Sequence, residues 1–152
     1  MPLDPSYVGR VYPPTPPYEV GREKIREFAD AVGDLNPVYR DPAAAQALGH
    51  PDVIAPPTFP IVLTLTAGHQ VLVDPDFGID YSKVVHGEQR FVHARPVRAG
   101  DVLQVVVTID GVRAAAGNDM VTTRAELSTV EGELVSTAYA TIVARGTAGA
   151  GK

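Results

Sequence analysis

The chain contains no cysteine, which excludes a disulfide framework, a thiolate nucleophile and a cysteine-based zinc site. It has no excess of positive charge: 13 Lys and Arg stand against 18 Asp and Glu, a net charge of −5. Phosphate binding needs concentrated Lys and Arg, so nucleic acid is not expected as a partner. A membrane span is not expected either. The most apolar run, TFPIVLTLTAGHQVLV at residues 58–73, is short, at about sixteen residues, and carries Thr64, Thr66, His69 and Gln70. Internal repeats are absent. The opening residues MPLDPSYVGR have neither the basic run nor the apolar core of a signal peptide, so a cytoplasmic location is expected. At 152 residues, 45% hydrophobic and 20% charged, the composition is that of one soluble globular domain.

Proline is plentiful, and Pro2, Pro5, Pro13, Pro14, Pro16 and Pro17 crowd residues 1–17. Without amide donors, this stretch is expected to lie over the surface as an extended strap outside any ladder. Residues 18–20 suit a short edge strand. From 22 to 32 the apolar positions Ile25, Phe28, Ala29 and Val32 recur at helical spacing, an amphipathic helix closed by Gly33. Residues 33–42 are dense in turn formers. Asp41 then caps a short helix with Pro42 in its first turn, running to Leu48 and stopping at Gly49.

The 58–73 run is apolar all round, which predicts a buried helix. Its β-branched content leaves a buried strand pair as the alternative. Its length, Thr58 as N-cap and Pro60 in the first turn favour helix. Strands follow at 83–94, 101–112, 120–130 and 134–144, with a turn at 95–100, a hairpin at 117–119 and a turn at 131–132. Residues 146–152 are expected to form a flexible tail. The fold class is α+β, an antiparallel sheet wrapped around one central helix in a single domain at 18–145. One such sheet cannot cover both faces, so a two- or multi-subunit assembly is expected.

The loop after the first helix gathers Asp34, Asn36 and Tyr39. The plain alternative is that Asp34 and Asn36 bond only to nearby amides. The first amides of the central helix would polarise a carbonyl and stabilise an oxyanion formed from it. Pro56 and Pro57 stiffen the approach. Among the other candidates, period 2 puts His86 and Glu88 on one strand face and His93 on the other, too few convergent ligands for a metal. His69 reads as a satisfied core histidine, with a channel-lining position as the alternative. Arg90, Arg95, Arg98 and Arg113 read as solvated charges, or as contacts to an acidic carrier protein or a CoA phosphate.

Residues 28–41, FADAVGDLNPVYRD, resemble the hydratase signature of MaoC-like hot-dog proteins, the R-specific enoyl-thioester hydratases and 3-hydroxyacyl dehydratases. That signature runs Gly-Asp-x-Asn-Pro-aliphatic-His. Residues 54–59, IAPPTF, resemble the family's entry to its central helix. VHGEQRF at 85–91 and RPVRAGD at 95–101 resemble its next strand and turn. The resemblance implies a hot-dog fold pairing with a second subunit and an acyl-ACP or acyl-CoA ligand, without cofactor or metal. Thioester contacts are implied at Pro57, Thr58 and Phe59, and further substrate contacts at His86 and Gln89.

The departure lies at the His position, which here is Tyr39. A phenol near pKa 10 is a poor proton shuttle at neutral pH compared with an imidazole near 6.5. The resemblance is closest to the HadA-like subunit of heterodimeric (3R)-hydroxyacyl-ACP dehydratases. In those, one chain keeps the catalytic pair and the other shapes the acyl channel. The expected function is therefore a dehydratase subunit in fatty-acid metabolism, with Asp34, Asn36 and Tyr39 as the motif positions. The alternatives are a self-sufficient hydratase using Asp34, with His50 folding back as a replacement imidazole, and a non-enzymatic acyl-thioester-binding homodimer.

Overall fold

The computed structural model describes residues 2–149. Its core is a five-stranded antiparallel sheet of β1 (Tyr18–Glu19), β2 (Val84–His93), β3 (Val102–Ala115), β4 (Asn118–Thr129) and β5 (Leu134–Ala144). The strands lie in the order β1-β3-β4-β5-β2. The helices are α1 (Arg22–Ala31), α2 (Pro42–Ala47) and α3 (Ile61–Leu72). This is the expected curled sheet around a central helix.

Strict alternation builds the inner face. Leu103, Val105, Val107 and Ile109 of β3, with Val121 and Leu127 of β4, are fully buried beneath α3, which contributes Leu63, Ala67 and Val71. Burial of each such large aliphatic side chain is worth about 1.5–3 kcal/mol. Phe59 is completely buried and meets Phe28 of α1 edge to face at 5.4 Å, so α1 is fastened to the approach of α3. Asp41 caps α2 by accepting from the Ala43 amide at 2.9 Å, and Gly33 (φ 75) closes α1. The β3–β4 hairpin turns at Ala116 (φ 52) and Gly117 (φ 79), the paired positive φ that a tight two-residue turn demands.

Four expectations need correction. Thr58 is not the cap of the central helix: α3 begins at Ile61, with Pro60 as its N-cap and no side-chain capping bond. Residues 57–60 form a turn instead, and a proline without a donor is well placed immediately before a helix. Nor is α3 buried all round. Leu65 and the C-cap residue Val73 are 59% and 57% exposed, because a single sheet covers only one side of it. His69 is likewise exposed, not a core histidine, and lies edge-on to Tyr81.

Third, the proline-rich strap does join the sheet. The amides of Gly9, Tyr12 and Thr15 donate to the carbonyls of Ile109, Val107 and Val105, and Ile109 donates back to Arg10. The residues between the prolines supply the donors that proline lacks. Fourth, β2 does not keep strict alternation. Its register against β5 shifts between His86 and Glu88, a bulge at Gly87. His86 lies opposite Ile142, Gln89 opposite Ala140, Phe91 opposite Ala138 and His93 opposite Ser136. His86, Gln89, Phe91 and His93 thus share the inner face, and His93 is not on the opposite side from His86.

The C-terminal segment is also held as far as Ala148, which is buried. Gly146 donates to Asn118 Oδ1 at 2.9 Å, and the Thr147 hydroxyl donates to the buried Asp119 carboxylate at 2.5 Å. The same carboxylate accepts from the Leu3 amide, tying both ends of the chain to the start of β4. The remainder of the expected tail, 150–152, lies outside the described residues.

Candidate functional site

Two cavities open along the inner face of β2, and they share no lining residue. The first, about 250 Å³, lies between α3 and strands β4, β5 and β2. Leu65, Leu72, Val84, Ala138, Ala140 and Ile142 make it largely apolar, and Gly68 keeps the helix side open. His86, Gln89, Thr64 and Thr123 are its polar groups, with Tyr81 at its edge. A largely aliphatic lining of this kind accepts an alkyl chain.

The second cavity, about 330 Å³, lies where β2 ends against the approach to α3. Tyr39, Ile54, Pro56, Pro57, Pro60 and Val97 line it, together with His93 and Arg95. The prolines make its wall stiff. The His93 ring nitrogen Nδ1 lies 2.9 Å from the hydroxyl of buried Ser136, and the ring stacks on Phe91. With Nδ1 engaged, Nε2 is the ring atom left for a ligand.

The signature loop reaches this cavity through Tyr39 alone. Asp34 Oδ1 accepts from the Asn36 amide at 3.1 Å, and Asn36 Oδ1 accepts from the Val38 amide at 3.0 Å. Both side chains are therefore engaged in shaping the loop. Arg40 clamps the loop, donating to Asp30 at 2.6 Å and to the Asp34 carbonyl at 2.7 Å. Tyr39 is buried, and its pKa is raised first by that burial and then by the nearby negative charge of Asp34. Its phenol accordingly stays protonated at neutral pH and serves as a hydrogen-bonding group, not a base.

The helix start offers less than the free first turn expected. The amides of Phe59, Ile61, Val62 and Leu63 donate to Pro56, Thr58, Phe59 and Pro60 carbonyls. Since Pro57 and Pro60 have no N–H, only the Thr58 amide in residues 57–63 lacks a backbone acceptor. A carbonyl held there would meet one amide, not a set of them. Pro57 lines the second cavity; Thr58 is exposed and lines neither, and Phe59 belongs to the core. His86 and Gln89 line the first cavity, Asp34 and Asn36 line neither, and His50 is not in the wall of either.

Arg95 is not free for a phosphate. Its guanidinium makes two 2.9 Å bonds to Asp101 and one of 3.0 Å to Glu133, and these partners hold its pKa well above the usual arginine value. Arg90 lies over the Tyr139 ring at 4.1 Å. His93 is the residue that pattern reading missed, and Gly87 was the available signal, because a glycine inside a strand marks a bulge that reverses the faces beyond it. Among the described residues, no group of three or more His, Asp or Glu converges as a metal site, and no helix is long and apolar enough to cross a membrane.

Residues 6–138 match the family model described as FAS1-like, dehydratase domain region. A UPF0336 protein of Saccharopolyspora erythraea is 62% identical over 148 residues, covering 97% of this chain and 95% of its own length. Among solved structures, the C-terminally truncated HadBC (3R-hydroxyacyl-ACP dehydratase) complex of Mycobacterium tuberculosis is similar at 37% identity. The match has a TM-score of 0.80 and covers 90% of this chain and 96% of that one. A MaoC-like dehydratase matches at 35% identity and TM-score 0.85, covering 92% of this chain and 42% of its own. With the curled sheet around α3, these matches define a hot-dog protein of the dehydratase and hydratase class. The chain belongs to the MaoC-like hot-dog dehydratase family.

Proposed function

We propose that this chain is the channel-forming subunit of a (3R)-hydroxyacyl-thioester dehydratase, working in the hydration or dehydration direction on an acyl-ACP or acyl-CoA. A MaoC-like partner supplies the catalytic Asp and His. The observation that carries the reading is Tyr39, a buried phenol with a raised pKa where the signature has its imidazole. In the signature mechanism an imidazole and a carboxylate move the proton at the α carbon and the water at the β carbon. Here the phenol holds its proton and the Asp34 carboxylate accepts from the loop's own amide. What remains is binding: the cavity under α3 holds the acyl chain, and the Tyr39 cavity lies beside the thioester. The similarity to the HadBC complex supports a partner of related fold.

Crotonyl-thioester hydration by the purified chain, alone and after co-expression with a MaoC-like partner, tests this. Turnover is expected only with the partner. Robust turnover by the chain alone that disappears in Asp34→Asn would overturn it. Tyr39→His alone is expected to restore little, because the rest of the site must also be arranged and Asp34 lines neither cavity. A second reading, a self-sufficient hydratase, is favoured by one observation: His93 shares a cavity with Tyr39. Hydration by the lone chain that is lost in His93→Gln would select it.

A further inference from the structure

The cavity under α3 is not uniformly apolar. Thr64 projects into it from the helix and Thr123 from β4, and both residues are more than nine-tenths buried, at 6% and 4% exposure. Among the described residues neither hydroxyl is hydrogen-bonded to another group of the protein. Thr66, two residues on, shows the usual alternative for a helical threonine: its hydroxyl donates back to the Val62 carbonyl at 3.4 Å. Thr64 does not make that bond and leaves its hydroxyl to the cavity.

Two further polar side chains meet them from β2. The bulge at Gly87 turns both His86 and Gln89 inward, three positions apart on a strand whose alternation would otherwise separate them. Glycine suits the bulge in this packing, since a Cβ there would crowd Val143 Cγ2 at 3.2 Å, with the Thr141 carbonyl at 3.4 Å. A cavity walled by Leu65, Leu72, Ala138, Ala140 and Ile142 thus carries five hydrogen-bonding side chains, Tyr81 at its edge included, and no Asp, Glu, Lys or Arg.

A saturated alkyl chain filling this space would exclude water from the threonine hydroxyls and give them nothing in return, which is unfavourable for a buried polar group. A carboxylate or phosphate would find no Lys or Arg, and His86 as the single imidazole. The ligand that satisfies both the aliphatic walls and the hydroxyls is uncharged, mostly hydrocarbon, and bears an oxygen. We propose that the cavity selects acyl chains carrying a neutral oxygen function, a hydroxyl, keto or ether group, in the tail beyond the thioester end, with Thr64 and Thr123 as the specificity-determining residues. This rests on the acyl-channel reading above and names its substrate class. The 3-hydroxyl of a hydroxyacyl thioester is a separate matter, because Tyr39 lines the other cavity.

The test is calorimetric titration of the full chain with N-acetylcysteamine thioesters of one saturated medium-chain acid and of the same acid hydroxylated at successive carbons beyond C3. At least one hydroxylated isomer is expected to bind about tenfold more tightly than the plain chain. Thr64→Val and Thr123→Val should each reduce that gain while tightening the plain chain, and Thr64→Ser and Thr123→Ser should preserve it. Equal binding of the plain chain and every isomer, or a preference that survives the double valine variant, overturns the proposal. Ala138→Leu, which fills the cavity, separates the two readings. If the plain chain binds and Ala138→Leu abolishes its binding, the channel stands and only the oxygen preference falls. If no chain binds, or Ala138→Leu leaves binding unchanged, the channel reading falls and takes this proposal with it.

Discussion

At its C-terminal end α3 runs into a carboxylate whose partners are all supplied from within the chain, whereas its N-terminal end opens on a cavity. Asp74, just beyond the helix, is buried; it accepts from the Tyr12 hydroxyl at 2.8 Å and from the amides of Asp76 and Phe77, with Arg10 at 3.5 Å. Arg10 also lies over the rings of Tyr7 and Tyr12, and Tyr7 stacks on Phe77. At the other end no side chain caps the helix, and the neighbouring polar groups, Tyr39 and His93, face a cavity. The same helix therefore separates two uses of polarity. Where hydrogen-bonding capacity is consumed internally it fastens the strap, and where it is left open it is available to a ligand.

The largest effect expected from breaking this contrast is at the closed end. Asp74→Ala strands the Tyr12 hydroxyl and the two amides, and should cost about 3 kcal/mol of unfolding free energy by urea denaturation. Thioester binding at the folded chain's cavities should survive. If binding is lost before stability is, the two ends are not independent.

Gly87→Val comes next, at about 2 kcal/mol, because its Cβ already presses on Val143 Cγ2 at 3.2 Å and valine adds two methyl groups to that crowded position. Unlike Asp74→Ala, it should also impair the cavities, by withdrawing His86 or Gln89, Phe91 and His93 from the inner face. Comparing binding with stability in the two variants distinguishes a fastening site from a positioning one.

This contrast also shows how far the sequence could be read. The amphipathic spacing of Ile25, Phe28 and Ala29, the cap Asp41 and the alternation of Leu103, Val105 and Val107 are local patterns, and each is found as expected in the fold. The Asp34 and Asn36 positions were legible as a motif, but the motif does not say that one oxygen of each accepts from the loop's own amides. The Tyr12–Asp74 bond joins residues 62 positions apart, and no periodicity reports such a pairing. His93 was misplaced because one glycine inverts the parity of everything after it. The exposure of Leu65 and Val73 likewise follows from how many layers pack on α3, which an apolar run does not count.

A smaller, pH-dependent effect sharpens the closed end. Burial raises the Asp74 pKa, but the Tyr12 hydroxyl, the Asp76 and Phe77 amides and Arg10 outweigh it, and the net shift is downward. A depressed folded-state carboxylate contributes stability above its unfolded value, near pH 4, and loses it as pH falls through the lower folded value. Tyr12→Phe removes the largest of the lowering interactions. It should cost about 1.5 kcal/mol near neutral pH, and the gap to the parent should narrow as the solution is acidified below about pH 4. A gap that is constant from neutral to acid would mean Tyr12 acts by packing alone.

The smallest effect is expected at the open end. Had Thr58 capped α3 through its hydroxyl, Thr58→Ala would cost about 1 kcal/mol, the usual loss for a helix N-cap. Here the capping position is Pro60, the Ile61 amide is satisfied by the Thr58 backbone carbonyl, and the Thr58 side chain is exposed. Alanine retains that carbonyl and the free amide, so unfolding free energy should change by less than about 0.5 kcal/mol. Thr58→Pro provides the complementary measurement, because it removes the one unpaired N–H of residues 57–63 while leaving the carbonyl in place. If that amide holds the thioester carbonyl, Thr58→Pro should weaken thioester binding while Thr58→Ala leaves it unchanged. Equal binding in both variants would remove the helix approach from the site and leave Tyr39 and His93 as its polar groups.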